Sequence, residues 1–317
     1  MTKPKVIAVV GPTASGKTSL GIFLAQHIGS GPTKLRRGAG EVISADSRQV
    51  YRGLDLGTGK VTKDEMAGVP HYLLDVCSPK NVFSASDFVE AGERAIEKIL
   101  GAGHVPIVVG GTGLYADCLL GRMFIPNVPP DEELRLRLEQ FPIERLFEML
   151  QKKDPRRAAT IEPKHKRRII RALEIAEALG ENPLPNPEQK YDVLWLGIDL
   201  PEAKLHKNIS VRLDQRLADG MVDEGRRLHA KGLAYKRMQE LGLEYGAIAR
   251  LLKKEVTPQV MQGELERDIR HYAKRQMRWF RRNEHIHWIK NKTEALRLAK
   301  AFVAAKPLPR SQAEKIA

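Results

Sequence analysis

The sequence predicts an α/β fold: a P-loop NTPase-like parallel sheet flanked by helices, with a helical domain inserted into it. Three observations carry that expectation. An apolar run, Val6 to Val10, ends in GPTASGKT at 11–18, which satisfies the pattern G-x-x-x-x-G-K-[ST]. Strand-like apolar runs then alternate with helical patterns over the first 120 residues, as parallel βαβ units require. Near Gly121 the periodicity becomes helical, and strand character returns only at 193–200, so a helical segment interrupts the core.

The elements follow in order. Strand one is Val6–Val10 and a helix follows it from Ser19 to His27. Strand two is expected at Glu41–Ser44 and a third at His71–Asp75. Ser84 or Ser86 caps a helix over Ser86–Leu100, with Asp87 in the first turn, where the helix dipole favours an anion. Val105–Val109 is strand four, followed by GGTG at 110–113 and another helix. The glycine-rich, basic stretch 29–40 reads as a flexible surface loop. NVPP at 127–130 breaks the chain, and helical patterns then run to Leu179, interrupted at Pro142, Pro155 and Pro163. A proline-rich linker at 181–190 leads into VLWLGIDL and long helices up to Arg282. HIHWI at 285–289 reads as a last edge strand, and the chain beyond Pro307 is expected to fray. The division is therefore a core at 1–120, a helical insertion at 121–190, a return to the core with long basic helices at 191–290, and a C-terminal tail at 291–317.

Composition bounds the function. With 317 residues, 42% hydrophobic and 29% charged, the chain can bury a large core. It has no apolar stretch near twenty residues and a first strand close to Met1, so neither a membrane span nor a leader peptide is expected, and a cytoplasmic protein is. Cys77 and Cys118 have no C-x-x-C spacing, so disulfide and zinc frameworks are not expected. The outlier is charge: 53 Lys and Arg against 39 Asp and Glu give +14, which suggests a polyanionic partner.

The glycine-bounded turn Gly11, Pro12, Thr13, Ala14, Ser15, Gly16, Lys17, Thr18 is a phosphate cradle. Backbone N–H groups and a helix N-terminus attract the anion, Lys17 reaches a diphosphate, and the Thr18 hydroxyl can ligate Mg2+. The motif serves ATP-dependent phosphoryl transfer as well as any reaction in which pyrophosphate leaves. In open parallel sheets ligands sit beyond the carboxyl ends of the strands. SADSRQVY (44–51) and GGTGLY (110–115) therefore share a rim with the cradle. Asp46 on that rim fits a metal ligand, a general base or a turn-stabilising group, and Thr112 fits a substrate contact or a helix cap.

Two segments concentrate the positive charge. In 152–171, nine of twenty residues are Lys or Arg. In 258–282, Met261, Leu265, Ile269, Tyr272, Gln276 and Phe280 form a core-facing stripe. Arg267, Arg270, His271, Lys274, Arg278 and Arg281 fall elsewhere, with Asp268 nearly alone among them. Uncompensated charge of this kind favours a nucleic-acid surface, and Trp279 and Phe280 fit core packing better than base stacking.

GPTASGKT, VISADSRQVYRGLDLGTGK, PHYLLDVCSP, PIVVGGTGLY and HYAKRQMRWFRR, in this order over most of the chain, resemble the tRNA isopentenyltransferase (tRNA dimethylallyltransferase) family. The resemblance implies transfer of a dimethylallyl group from dimethylallyl diphosphate to the exocyclic amine of the adenosine beside the anticodon, with Mg2+ assisting the departure of pyrophosphate. It implies that the cradle residues, with Thr13, Ser15, Gly16, Lys17 and Thr18 foremost, hold the diphosphate, that Arg212 faces it, and that Asp46 is the base. It assigns Asp46, Ser47, Arg48, Gln49 and Thr112 to the extruded adenosine. Arg135, the run Arg167, Arg168, Ile169, Ile170, Arg171, and the run Met238, Gln239, Glu240, Leu241, Gly242, Leu243 fall to the tRNA anticodon stem-loop. A monomer is expected. Asn208 stands where the family has arginine, and Leu243 where it has tyrosine.

Three other readings use the same cradle: a small-molecule kinase, prenyl transfer to free AMP or ADP, and a non-enzymatic RNA-binding protein. The first two give no reason for two basic helical segments, and the third leaves Asp46 and Thr112 without a purpose. If the charge meets RNA phosphates, raising salt from about 50 to 200 mM weakens tRNA binding by roughly 10³-fold for about six contacts. A salt-independent dissociation constant, measured by filter binding, overturns the basic-surface reading.

Overall fold

The computed structural model describes residues 3–29, 39–126, 128–183 and 189–305. Most of the basic loop expected at 29–40 and half of the linker at 181–190 fall outside them, as does the chain from residue 306 onward. The chain divides into two compact units, one formed by 1–122 with 189–317 and the other by 123–188.

The larger unit begins with β1 (Lys5–Val10), α1 (Lys17–His27), β2 (Gly40–Ser44), α2 (Lys63–Met66), β3 (His71–Tyr72), α3 (Ala85–Gly101), β4 (Val105–Gly110) and α4 (Gly113–Leu119). The smaller unit holds α5 (Glu132–Glu139), α6 (Ile143–Lys153), α7 (Pro155–Thr160) and α8 (Lys166–Leu179). The chain returns to the larger unit through β5 (Asp192–Ile198), α9 (Glu202–Ala218), α10 (Met221–Ala230), α11 (Tyr235–Glu240) and α12 (Leu243–Leu252). It ends, among the described residues, with α13 (Pro258–Phe280), β6 (Ile286–Ile289) and α14 (Lys292–Ala304).

Six described strands form one parallel sheet in the order β3-β2-β4-β1-β5-β6. Alternate residues of β1 enter opposite cores, as a strand buried on both faces requires. Val6, Ala8 and Val10 pack with Phe88, Ile96 and Ile99 of α3 and Leu119 of α4. Ile7 and Val9 pack with Leu20, Leu24 and Ala25 of α1 and with Ala295 and Ala299 of α14. A third core joins α9 to α13 and reaches Ala14, Val50, Tyr51 and Leu54 beside the sheet. The smaller unit has its own core, including Leu146, Leu150, Ile169 and Leu173.

Two expected boundaries change. β3 stops at Tyr72 rather than Asp75, because Leu73 and Asp75 take left-handed backbone conformations at φ 63 and 56 that no strand continues. The segment taken as a tail contains α14, which Asn291 caps through the Glu294 N–H at 2.9 Å and whose alanines cover the sheet. Its short apolar side chains allow close packing, so the helix belongs to the core. Ser84 is the cap of α3, in a reciprocal box with Asp87.

The rim of the sheet is tightly constrained at one glycine. A Cβ on Gly110 would lie 2.0 Å from the Ala45 carbonyl oxygen, a backbone atom that cannot move aside. Gly110→Ala is expected to destabilise the protein by at least about 1–3 kcal/mol. Gly101→Ala, at the end of α3 with open space around it, is expected to stay within about 0.5 kcal/mol of the parent. Equal thermal midpoints for the two variants would refute this account of the rim.

Candidate active site

Three strands end together. Val10 is paired with Gly110 and Ser44 with Val109, so the segments after β1, β2 and β4 leave the sheet at one level. Ala45 then bonds across to β4 through both backbone groups, donating to Val109 O at 2.8 Å and accepting from Thr112 N at 3.1 Å. That pair of bonds delivers Asp46 to the mouth of the cradle. The cavity there has a volume of about 470 Å³. Its lining includes Thr13, Ala14, Lys17 and Thr18, then Asp46 to Gln49, then Arg212 and Arg216, with Gln239 to Tyr245 and Tyr272, Arg275 and Gln276 completing the wall.

Glycine and one strained alanine shape the cradle. Gly16 at φ 90 precedes α1, and Ala14 sits at φ 58, a conformation that costs a residue with a Cβ about 1 kcal/mol or more. Asn208 of α9 donates to the Ala14 carbonyl at 3.1 Å and pins that turn. Gly11, Pro12, Ser15 and Gly16 form the turn without lining the cavity, and the buried Ser15 hydroxyl has no partner among the described residues. The Thr13 N–H is directed to Gln276 Oε1 at 2.8 Å rather than into the cavity.

Charge converges on the same space. The Lys17 ammonium donates to Pro12 O at 2.8 Å. Burial lowers its pKa, the Asp46 carboxylate acts against that shift, and Arg212 adds to it; the result is about 8. Burial and then the neighbouring Arg216 guanidinium also hold Arg212 below its ordinary value. Arg216 is paired with Glu244 at 3.2 Å and donates to Gly57 O at 2.9 Å, so it is largely neutralised. Arg212 has no ion pair among the described residues, and its guanidinium is available to an anion.

Asp46 is held by one oxygen. Its Oδ1 accepts from the Arg48 N–H at 2.9 Å, an Asx turn that leaves the second oxygen without an intramolecular bond among the described residues. The turn role and the open carboxylate therefore coexist in one side chain. Thr112 occupies the N-cap position of α4 without a capping bond from its side chain, and it is not part of the cavity lining. Its hydroxyl accepts from Ser47 N at 3.0 Å, donates to Ser47 Oγ at 3.3 Å, and is hydrogen-bonded to Tyr272. Burial, then the Asp46 charge, push the Tyr272 phenol up to about 12, so it keeps its proton at neutral pH.

A buried carboxylate organises the loop between β2 and α2. Glu224 of α10 accepts from the backbone N–H groups of Asp55, Leu56 and Gly57 at 3.0, 2.8 and 2.9 Å, and from the Tyr245 hydroxyl at 2.6 Å. Gly57 is obligatory there, because a Cβ would meet the Tyr245 ring at 2.5 Å. The loop sets Thr58 and Gly59 in the cavity wall beside Arg212.

Several residues expected to touch RNA do not present side chains for it. Ile169 and Ile170 lie in the core of the smaller unit and Met238 in the core beside the sheet, because each occupies the apolar stripe of its helix. Arg135 and Arg171 are half-buried and committed to Glu174: Arg135 lies 2.9 Å from it and Arg171 also donates to Val128 O at 2.7 Å. Burial raises the Glu174 pKa, but the Asp131 N–H and the two guanidinium groups more than offset this and leave it below the usual range. Arg167 and Arg168 are exposed, as are Gln239 and Glu240, while Leu241, Gly242 and Leu243 line the cavity. The scarcity of acidic partners for the cations of 258–282 is also corrected in part: Glu266 pairs with Arg270 and Asp199 with Arg281. These partners come from the turn before or from other elements, which a scan four residues ahead overlooks.

Gln276 and Tyr272 were the residues hidden by the sequence. Both sit on the stripe of α13 that faces inward, and both turn polar groups onto the rim. The available signal was a glutamine and a tyrosine in an otherwise apolar stripe.

Residues 49–283 match the family model described as IPP transferase. The chain belongs to the IPP transferase family. It is 38% identical to a tRNA dimethylallyltransferase of Streptomyces coelicolor over 313 residues, covering 95% of this chain and 96% of that one. A tRNA dimethylallyltransferase 1 of Geotalea uraniireducens is 39% identical, with 96% of this chain and 99% of the other covered. The crystal structure of a full-length tRNA isopentenylpyrophosphate transferase from Bacillus halodurans matches with a TM-score of 0.70 at 34% identity, covering 99% of this chain and 100% of that one. The IPP transferase fold expected from the sequence is thus the fold observed.

Among the described residues no group of three or more His, Cys, Asp or Glu side chains could hold a metal ion. The exposed Thr18 hydroxyl at the cradle and Asp46 on the same wall are oxygen donors of the kind Mg2+ uses when substrate phosphates and water supply its other ligands. The donor set fits a metal that arrives with a diphosphate.

The Lys17 shift predicts a pH dependence with a definite sign. Below pH 8 the free enzyme already carries the ammonium, so a diphosphate ester binds without proton uptake. Above it the amine is neutral, the anion must recruit a proton, and affinity falls by up to about tenfold per pH unit. Calorimetry between pH 7 and 9.5 in buffers of different ionisation enthalpy reads both effects. Constant affinity without proton uptake would contradict the placement of Lys17.

Proposed function

We propose that this protein transfers a dimethylallyl group from dimethylallyl diphosphate to the exocyclic amine of the adenosine adjacent to the anticodon in tRNA, releasing pyrophosphate. One observation carries the reading: a single cavity brings Lys17 and Arg212, which suit a diphosphate, together with a carboxylate with a free oxygen, Asp46. The names of relatives aligned over nearly the whole chain agree with tRNA prenylation and not with phosphorylation of a small molecule.

The reaction breaks the allylic C–O bond, whose electron pair leaves with pyrophosphate, and forms a C–N bond to the adenine. Lys17, Arg212 and the helix N-terminus after Gly16 stabilise the charge that develops on the leaving oxygen. Mg2+, held by Thr18 and the diphosphate itself, would add Lewis-acid stabilisation of that leaving group. The adenine amine is a weak nucleophile because its lone pair is delocalised, and Asp46 accepts its proton as the bond forms. Ser47, fixed through its N–H by Thr112, and the segment from Arg48 to Gln49 form the wall against which the extruded base lies. Exposed Arg167 and Arg168, with Gln239 and Glu240, supply contacts to the stem-loop. The protein acts as a monomer, and the proposed tRNA substrate supports action in the cytoplasm.

The decisive assay offers labelled dimethylallyl diphosphate and Mg2+ with either unmodified tRNA or AMP. Label is expected in tRNA alone, at an adenosine; label in AMP, or ATP consumption without label transfer, overturns the reading. Asp46→Ala is expected to lower the single-turnover rate by roughly 10²–10⁴-fold while tRNA affinity changes by less than about threefold. Comparable losses in rate and affinity would remove the base assignment.

A further inference from the structure

We propose that Gln276 is the positioning residue that sets the distance between the diphosphate half and the adenosine half of the site. The inference rests on the function proposed above and adds to it a residue whose task is registration, not binding. Gln276 is buried at 6% exposure, yet both polar atoms of its carboxamide are bonded. Its Oε1 accepts from Thr13 N in the cradle at 2.8 Å, and its Nε2 donates to Gly111 O in the loop after β4 at 2.9 Å. One planar group, with donor and acceptor about 2.3 Å apart by its covalent geometry, therefore bridges two loops that arise from different strands.

The packing around this bridge leaves no slack. A Cβ on Gly111 would lie 2.3 Å from Gln276 Nε2, and one on Gly113 would lie 2.2 Å from Trp279 Cδ1. The whole GGTG turn thus lies flat against α13. Trp279 is itself locked, since its Nε1 donates to Asp117 at 2.8 Å. One turn earlier on the same face, Tyr272 bonds Thr112, which holds Ser47 and so the segment bearing Asp46. The consecutive turns of α13 at Tyr272, Gln276 and Trp279 thereby grip the adenosine side, and Gln276 alone also grips the cradle.

Alkyl transfer needs the allylic carbon and the amine at near-attack distance, and a misplacement of about 1 Å can cost roughly 10²-fold in rate. If Gln276 sets that distance, its loss leaves each substrate's own contacts intact and damages only their relative placement. Gln276→Met keeps the length and removes both hydrogen bonds. It is expected to lower the single-turnover rate by about 30- to 100-fold, while the dissociation constants of dimethylallyl diphosphate and of tRNA, each measured alone, change by less than about threefold. An unchanged rate with a lower thermal midpoint would reduce Gln276 to a structural residue, and a loss confined to one dissociation constant would make it a binding residue; either overturns the proposal.

Gln276→Glu keeps the shape and supplies a second test should the methionine variant fail to fold. Its ionised carboxylate accepts from Thr13 N–H but has no proton for Gly111 O, whereas its protonated form has one. The rate of this variant relative to the parent is therefore expected to rise as pH falls through the titration of the buried carboxyl. A ratio independent of pH overturns the bridging role. If the parent transfers no prenyl group to tRNA at all, the functional reading falls and this inference falls with it; a fully active parent with pH-indifferent variants refutes the inference alone.

Discussion

Everything at the site hangs on the way Ala45 leaves β2. Its N–H and carbonyl both bond to the chain at the end of β4, at Val109 and Thr112, so the strand is extended by one residue beyond its last regular pairing. The approach is possible only because Gly110 has no side chain. That one contact fixes where Asp46 enters the cavity, and it does so with backbone groups whose spacing side-chain motion cannot alter. Burial on both faces of the sheet supplies the rigidity behind it, because β1, β2 and β4 are packed from above and below.

On that frame the charges are arranged by contrast. Lys17 and Arg212 are desolvated and incompletely paired, which makes them strong partners for an entering anion. The nearby Arg216 is neutralised by Glu244 and by loop carbonyls, and serves structure. The same division runs through the smaller unit, where Glu174 gathers Arg135 and Arg171 while Arg167 and Arg168 stay exposed on the same helical run. Counting cations in the sequence cannot separate the two kinds. A cation's availability depends on which carboxylate the fold brings to it.

That difference marks what the sequence made legible. The cradle, the strands around it and the rim position of Asp46 follow from local patterns: an apolar run, a glycine-bounded turn and a helix cap all lie within a few residues of one another. α14 was missed because Leu, Ala and Lys with an Asn cap look like an unremarkable tail until the sheet edge they cover is known. Gln276 and Tyr272 were misread as plain core because helical periodicity reports which side of a helix faces inward. It does not report that the inward side meets polar loop backbone rather than another apolar surface. Ile169, Ile170 and Met238 failed in the opposite sense, since a run assigned to RNA as a block necessarily includes the residues that anchor its helix.

Glu224 and Arg216 hold the same loop from its two polar sides, and this shapes the field inside the cavity. Between them the peptide groups of 55–57 are oriented, with N–H bonds running to the carboxylate and the Leu56 and Gly57 carbonyls running to the guanidinium. A carboxylate, a short row of aligned peptide dipoles and a guanidinium thus form a closed electrical circuit within the wall. Arg216 is already neutralised by Glu244, so Glu224, Glu244 and Arg216 together leave one negative charge in the wall, that of Glu224, solvated by the three N–H groups and the Tyr245 hydroxyl. The wall can therefore be stiff and highly polar while adding no attraction of its own for an anion, which is left to cavity cations such as Lys17 and Arg212.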